Sequence, residues 1–172
     1  VHNRYHPESS YRAGERIEGY DLAEEYDRSV EYEDRRFRGL IETLRHMGEL
    51  EESILILTAD HGQLHNEYRI WGHGKTLFGS VLDVPLIFIS GRWRSGFRVD
   101  TPVSLVNLKA VLNYLAPSGG KKEPEKIREK IIDIFEAPGE VIAEDRSDKP
   151  DQNGIYSWAF TCIDPAGFKL IY

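Results

Sequence analysis

Two side chains with strong chemical potential follow directly on one apolar run. The segment Ile54-Leu55-Ile56-Leu57-Thr58-Ala59 ends in Asp60-His61-Gly62, and Trp71-Gly72-His73-Gly74-Lys75-Thr76 comes shortly after. A carboxylate and an imidazole are oxygen and nitrogen ligands for a divalent cation. Two ligands do not hold such an ion tightly, so further ligands from elsewhere are expected. Lys75 offers a fixed point charge and His73 a group that titrates near neutrality. Hydrolysis of a sulfate or phosphate ester needs both, one to neutralise non-bridging oxygens and one to protonate the leaving oxygen. Taken alone, an Asp-His pair after a strand is more often a polar turn, Lys75 a surface lysine and His73 a loop hydrogen-bonder.

The elements that must carry these residues are legible from periodicity. Ile54–Ala59 and Val84–Ser90 are unbroken apolar runs with β-branched residues, expected as strands buried on both faces, the habit of parallel sheets. Ligands in open α/β sheets bind beyond the carboxyl ends of the strands, which is where Asp60 and His61 stand. Gly62 lets the chain turn sharply after them. Gln63–Phe78 is expected as a loop walling the site, with His65 as a solvated member and Trp71 as a stacking cap or a buried anchor. Upstream, Tyr26, Val30, Phe37, Leu40, Ile41, Leu44 and Met47 recur at helical spacing, predicting an amphipathic helix of roughly six or seven turns that stops at Gly48. His46 at its end suits the helix dipole.

Leu105, Leu108, Val111, Leu112 and Leu115 predict a second helix that ends before Pro117. Ser118-Gly119-Gly120-Lys121-Lys122 reads as a linker to a charged helix over about Pro124–Phe135, with Ile127, Ile131 and Ile134 or Phe135 as its apolar stripe. Glu140–Glu144, Ile155–Ile163 and Phe168–Tyr172 are expected as antiparallel strands.

Composition bounds the function classes. The 172 residues carry 22 basic and 29 acidic side chains, a net charge of −7, which favours neither nucleic acid nor an anionic membrane. One cysteine, Cys162, excludes an internal disulfide and a cysteine-rich zinc site; on a predicted strand it reads as a small buried hydrophobe. No apolar stretch reaches the ~18 residues of a membrane span. The single cysteine and an N-terminus unlike a signal peptide lean the expectation towards the cytoplasm, and localisation is otherwise open.

The ordered set Thr58-Ala59-Asp60-His61-Gly62, His73-Gly74-Lys75-Thr76-Leu77-Phe78 and Val84-Pro85-Leu86-Ile87 resembles the sulfatase family of the alkaline phosphatase superfamily. Val1-His2-Asn3-Arg4-Tyr5-His6-Pro7 is similar to that family's His-x-Pro-Tyr segment, with Arg4 where the pattern has proline. Gly167–Tyr172 resembles a strand near the family's C-terminus. The resemblance implies an α/β fold: part of an alkaline-phosphatase-like domain over 1–118, its sheet mostly parallel with flanking helices. A small C-terminal antiparallel sheet and helix over 119–172 would pack on it.

It further implies hydrolysis of a sulfate monoester, either small-molecule or carbohydrate. Asp60 and His61 would bind a divalent metal, calcium or alternatively manganese. Lys75 would bind sulfate, and His73 and His2, with His6 as rival to His2, would serve substrate binding and catalysis. The family's nucleophile is a formylglycine matured in a Cys/Ser-x-Pro-x-Arg motif, beside an Asp-Asp metal pair. The sequence holds neither motif. The expectation is therefore a C-terminal part of a larger enzyme, inactive alone and partnered by the missing N-terminal part of the catalytic domain. A phosphonate or phosphodiester hydrolase, or a non-catalytic module on the same scaffold, are the alternatives.

Overall fold

The computed structural model describes residues 22–73, 76–116, 122–137, 139–146, 158–164, 166–167 and 169–171. His2, Arg4, Tyr5, His6, Lys75 and the linker 118–121 lie outside the described residues. Two compact units divide the chain, 1–50 and 51–172.

In the first unit, helix α1 runs Leu22–His46. Its exposed face is laced by ion pairs at one-turn spacing, Glu31–Arg35 at 3.2 Å, Glu33–Arg36 at 3.4 Å and Asp34–Arg38 at 3.7 Å. Each contributes a few tenths of a kcal/mol at most. Gly48, at φ 74°, takes the left-handed conformation that stops the helix after the Gly48 N–H bonds to the Arg45 carbonyl. The one-turn helix α2, Glu49–Glu52, straddles the boundary between the units.

The second unit holds the strand that precedes Asp60. Strand β1, Leu55–Thr58, is followed by the short strands β2, Leu64–His65, and β3, Trp71–Gly72, then by the one-turn helix α3, Gly79–Leu82, and by β4, Leu86–Ile89. A 3-10 turn at Leu105–Asn107, started by Ser104 Oγ accepting from the Val106 N–H, leads into α4, Leu108–Leu115. Helix α5 spans Pro124–Glu136 with its proline at the first turn, where no N–H is needed. The strands β5, Val141–Arg146, β6, Trp158–Ile163, and β7, Lys169–Ile171, form an antiparallel sheet in the order β5-β6-β7.

Val111 of α4 and Ile127, Ile131 and Phe135 of α5 are buried together, each worth about 1.5–3 kcal/mol on full burial. Spacings of four residues place the three α5 side chains on one stripe. Leu86 and Phe88 of β4 pack against this cluster, with the Phe88 and Phe135 rings 5.8 Å apart. The Trp93 indole closes one side, donating to the Pro124 carbonyl at 3.1 Å.

The expectation of a mostly parallel sheet does not hold among the described residues. β1 pairs with β4 antiparallel, Leu55 opposite Ile89 and Thr58 opposite Leu86, and every other described pairing is antiparallel too. Among the described residues between Thr58 and Leu86 the chain builds a short hairpin with a 3-10 turn at its tip and one helical turn, and β4 returns with Leu86 opposite Thr58. Nor is β1 buried on both faces: Leu55, Ile56 and Leu57 are half-buried and Thr58 is exposed.

Candidate functional site

The polypeptide leaves β1 at Thr58 and presents Asp60 with its carboxylate in solvent. Asp60 Oδ1 accepts from the His61 backbone N–H at 3.0 Å, which fixes the side chain beside the imidazole that follows. His61 Nδ1 lies 2.9 Å from the Gly62 carbonyl. A carbonyl only accepts, so Nδ1 carries the proton and Nε2 the lone pair, the tautomer of a metal-ligating histidine. That Nε2 stands 3.9 Å from Asp60 Oδ2.

Gly62 is where the chain presses onto α3. Its N–H bonds to the Val81 carbonyl at 2.7 Å and the Gln63 N–H to the Ser80 carbonyl at 2.8 Å. A Cβ at residue 62 would lie 2.1 Å from the Ser80 oxygen, so no other residue type fits this approach.

Beyond it, β2 and β3 pair with Leu64 opposite Gly72 and His65 opposite Trp71. Asn66, Tyr68 and Arg69 at the hairpin's tip all hold positive φ, 81°, 55° and 60°. The carboxylate of Glu67 supports that strained turn by accepting from the His65 N–H. Its own backbone N–H and that of His65 hold the Glu67 carboxyl below the usual range.

The hairpin returns His73 to the end of β1. Its ring stacks on His61 with centroids 3.8 Å apart and planes at 25°. Gln63 Oε1 lies 3.0 Å from His73 Nδ1 and holds that ring in place. Lys75, the lysine expected beside it, lies outside the described residues. The chain is caught again at Leu77, whose side chain is buried and whose carbonyl accepts from the Lys169 ammonium of β7. Burial pushes the Lys169 ammonium below the ordinary lysine range, and the Asp83 carboxylate opposes that shift.

Asp60, His61 and His73 open onto a cleft of about 630 Å³. Its far walls are mostly apolar, with Leu82, Val103 and Ile142 among the lining side chains, and two further carboxylates, Asp83 and Glu144, complete its charged groups among the described residues. His65 is carried on β2 and His46 in the last turn of α1. Among the described residues no group of three His, Cys, Asp or Glu side chains converges as a metal cage.

Sequence reasoning missed two residues. Gln63 follows the Asp-His-Gly run directly, and its role shows only when the hairpin brings His73 back. Lys169 stands 92 positions after Leu77, beyond any local signal.

Comparison with known proteins places the chain. The model of the sulfatase family matches residues 1–115, and the chain belongs to that family. Members of that family generally use a divalent metal and a formylglycine. Over 73 residues the chain is 36% identical to Arylsulfatase K of Danio rerio, covering 42% of this chain and 14% of that protein. Over 73 residues it is 33% identical to the Low-salt glycan biosynthesis sulfotransferase Agl7 of Haloferax volcanii, covering 40% of this chain and 18% of that protein. The aligned segment thus spans less than a fifth of either relative.

Proposed function

We propose that this chain supplies the Asp-His metal face and the anion-binding loop of a sulfatase that hydrolyses sulfate monoesters. The observation that carries the reading is the convergence of His73 on His61 beside Asp60, at the open end of one cleft.

The donor set fits half of a divalent site. A separation of 3.9 Å between Oδ2 and Nε2 is bridged by one ion at ordinary ligand distances of about 2.0–2.6 Å. Asp60 and His61 would hold calcium, or manganese, and the remaining ligands come from outside these residues. When bound, the metal supplies positive charge against the oxygens of the ester. His73, held through Nδ1 and lining the same cleft, positions the leaving oxygen, and protonates it when the ring carries protons on both nitrogens. Lys75 and His2, both within the matched residues 1–115, take the sulfate-binding roles in this reading.

The formylglycine nucleophile must also come from elsewhere, because the sequence holds no Cys/Ser-x-Pro-x-Arg motif. Without it covalent catalysis is lost, and binding alone does not speed the chemical step. The 172 residues by themselves are therefore inactive.

The test is hydrolysis of 4-methylumbelliferyl sulfate and of the matching phosphate, with calcium or manganese. The gene product that carries these residues is assayed beside the 172 residues alone, each also as Asp60→Ala and Lys75→Ala. Sulfate turnover by the gene product, lost in both variants, is the expected result. Preference for the phosphate assigns a phosphoester hydrolase instead. No turnover of either ester leaves a non-catalytic module, and turnover by the 172 residues overturns the missing-nucleophile argument.

A further inference from the structure

Strand β5 is an edge. One side of it pairs with β6, and the other meets no strand among the described residues. Alternate residues of an antiparallel strand turn both N–H and C=O to the same side. Outside the ladder to β6, Val141, Ile142, Ala143 and Glu144 make no main-chain hydrogen bond among the described residues. All four line the cleft that holds Asp60, His61 and His73. Successive side chains of a strand point to opposite faces, so a cleft against one face would touch every second residue. Contact with four in a row means that the cleft runs along the free edge itself. The facing wall is also a length of main chain, Pro102–Val106, extended at Ser104.

We propose that the ester reaching this cleft is carried by a polypeptide: an extended segment with an O-sulfated tyrosine adds its main chain to the free edge of β5. The choice of ester rests on the sulfatase reading of Asp60 and His61; the docking of an extended chain rests on β5 alone.

A row of N–H and C=O groups at strand spacing is matched by another extended polypeptide, and such pairing gives affinity through the main chain. At about 3.3 Å per residue the four residues offer about 13 Å of edge, room for a segment of about four residues. Val141, Ile142 and Ala143 carry neither proline nor charge, the usual means of keeping an exposed edge from accepting strands. Leu82 and Val103 give the cleft apolar wall for an aromatic ring. Asp83 and Glu144 are negative and the described lining holds no lysine or arginine, so the residues flanking the sulfotyrosine are neutral or basic. The reaction consumes one water. The bond from sulfur to the phenolic oxygen breaks, sulfur gains the water oxygen, one water proton ends on the phenol and the other leaves with sulfate.

The experiment gives the gene product that carries these residues a capped, neutral peptide with a central O-sulfotyrosine. The same peptide is also supplied N-methylated at one or the other alternate set of its amides. Only one set can face β5. Methylating that set should lower kcat/KM roughly tenfold or more, the loss of about two main-chain hydrogen bonds, and methylating the other should change it less than about threefold. Equal loss in the two sets, or none in either, overturns the proposal. Glu144→Lys, at an exposed position, should move the preference from lysine-flanked towards glutamate-flanked peptide by roughly tenfold. An unmoved preference overturns the placement along β5.

Docking is read separately on the 172-residue chain, which holds no nucleophile to consume the sulfated peptide. The amides of alternate residues within Val141–Glu144 should shift and exchange more slowly on its addition. Amides that do not respond overturn the proposal. If the peptide docks along β5 but the gene product does not hydrolyse it, the docking stands and the sulfatase reading falls. If a neutral sugar sulfate or 4-methylumbelliferyl sulfate is turned over while the peptide neither docks nor reacts, the sulfatase reading stands and this proposal falls.

Discussion

Gln63 and His73 meet through Oε1 and Nδ1 at 3.0 Å, and that contact orients the imidazole stacked on His61. The amide oxygen accepts, so the ring keeps its proton on Nδ1.

Gln63→Leu removes the acceptor while leaving the backbone bond to Ser80 intact. Sulfate-ester turnover by the gene product should fall roughly tenfold to a hundredfold, mostly in kcat, with an unchanged circular dichroism spectrum. Gln63→Glu keeps an acceptor at the same place and should retain most activity. Equal loss in the two variants would mean that side-chain volume, not the hydrogen bond, matters at this position.

Gly62→Ala places a methyl group 2.1 Å from the Ser80 oxygen, a main-chain atom that cannot swing away. The strand end and α3 must separate, at a cost of about 3 kcal/mol, the upper end of ordinary overpacking. Urea denaturation of the folded chain measures it. A loss below about 1 kcal/mol would show that α3 shifts freely and does not clamp the site.

How far these relationships could be read from residues alone differs by kind. The stripe Ile127, Ile131 and Ile134 or Phe135 was legible because a helix repeats its buried face every three to four positions, and of the two last candidates the structure buries Phe135 with Ile127 and Ile131. Gly48 and Pro124 marked helix ends because their backbone preferences are local. The sense of the sheet was not legible. An apolar run such as Ile54–Ala59 records that a strand is covered, not which way its neighbour runs, and β4 returns antiparallel. The neighbourhood of Asp60 and His61 was visible in the Asp-His-Gly run. The contact that holds His73 against them, Gln63 through a hairpin, depends on tertiary return of the chain and leaves no local trace.

Glu67 ties the tip of that hairpin, and its two backbone N–H donors hold its folded pKa below the ordinary 4.5. The sign follows directly. A carboxyl with a depressed folded pKa adds stability above its unfolded pKa and loses it as pH falls through the folded value. The native chain should therefore melt above Glu67→Gln at neutral pH, and the gap should close as pH falls through the folded pKa and the carboxyl becomes neutral in both states. A gap that stays constant across that range would separate the effect from the charge of Glu67.

Cys162 sits on β6, where burial first, then the Glu140 and Asp164 carboxylates, push its thiol above the ordinary 9.0. The thiolate is the reactive form, so alkylation by iodoacetamide at pH 8 should run slower than for a free thiol and rise with pH. Glu140→Gln removes a hydrogen-bonding acceptor and a negative charge and should speed the reaction. Rapid alkylation of the folded native chain would contradict this placement.

The lining of the cleft bears on which sulfate ester suits it. Its described charged groups apart from the histidines are the carboxylates Asp60, Asp83 and Glu144, and the remaining wall is mostly apolar. On the proposed reading a bound metal and Lys75 would neutralise the ester itself, but no described cation in the lining meets a second anion on the leaving group. A neutral aryl or alicyclic sulfate should therefore exceed a sulfated uronate or polysulfated sugar in kcat/KM by at least tenfold, since juxtaposed like charges oppose binding. Rising salt should narrow the gap by screening. Ile142 lies on β5 at the cleft wall and is 65% exposed, so Ile142→Lys adds a cation there without burying it. That variant should gain on the polyanionic substrate relative to the neutral one. Equal kcat/KM for the two substrates, unmoved by salt and by Ile142→Lys, would show that the leaving group does not lie along this wall.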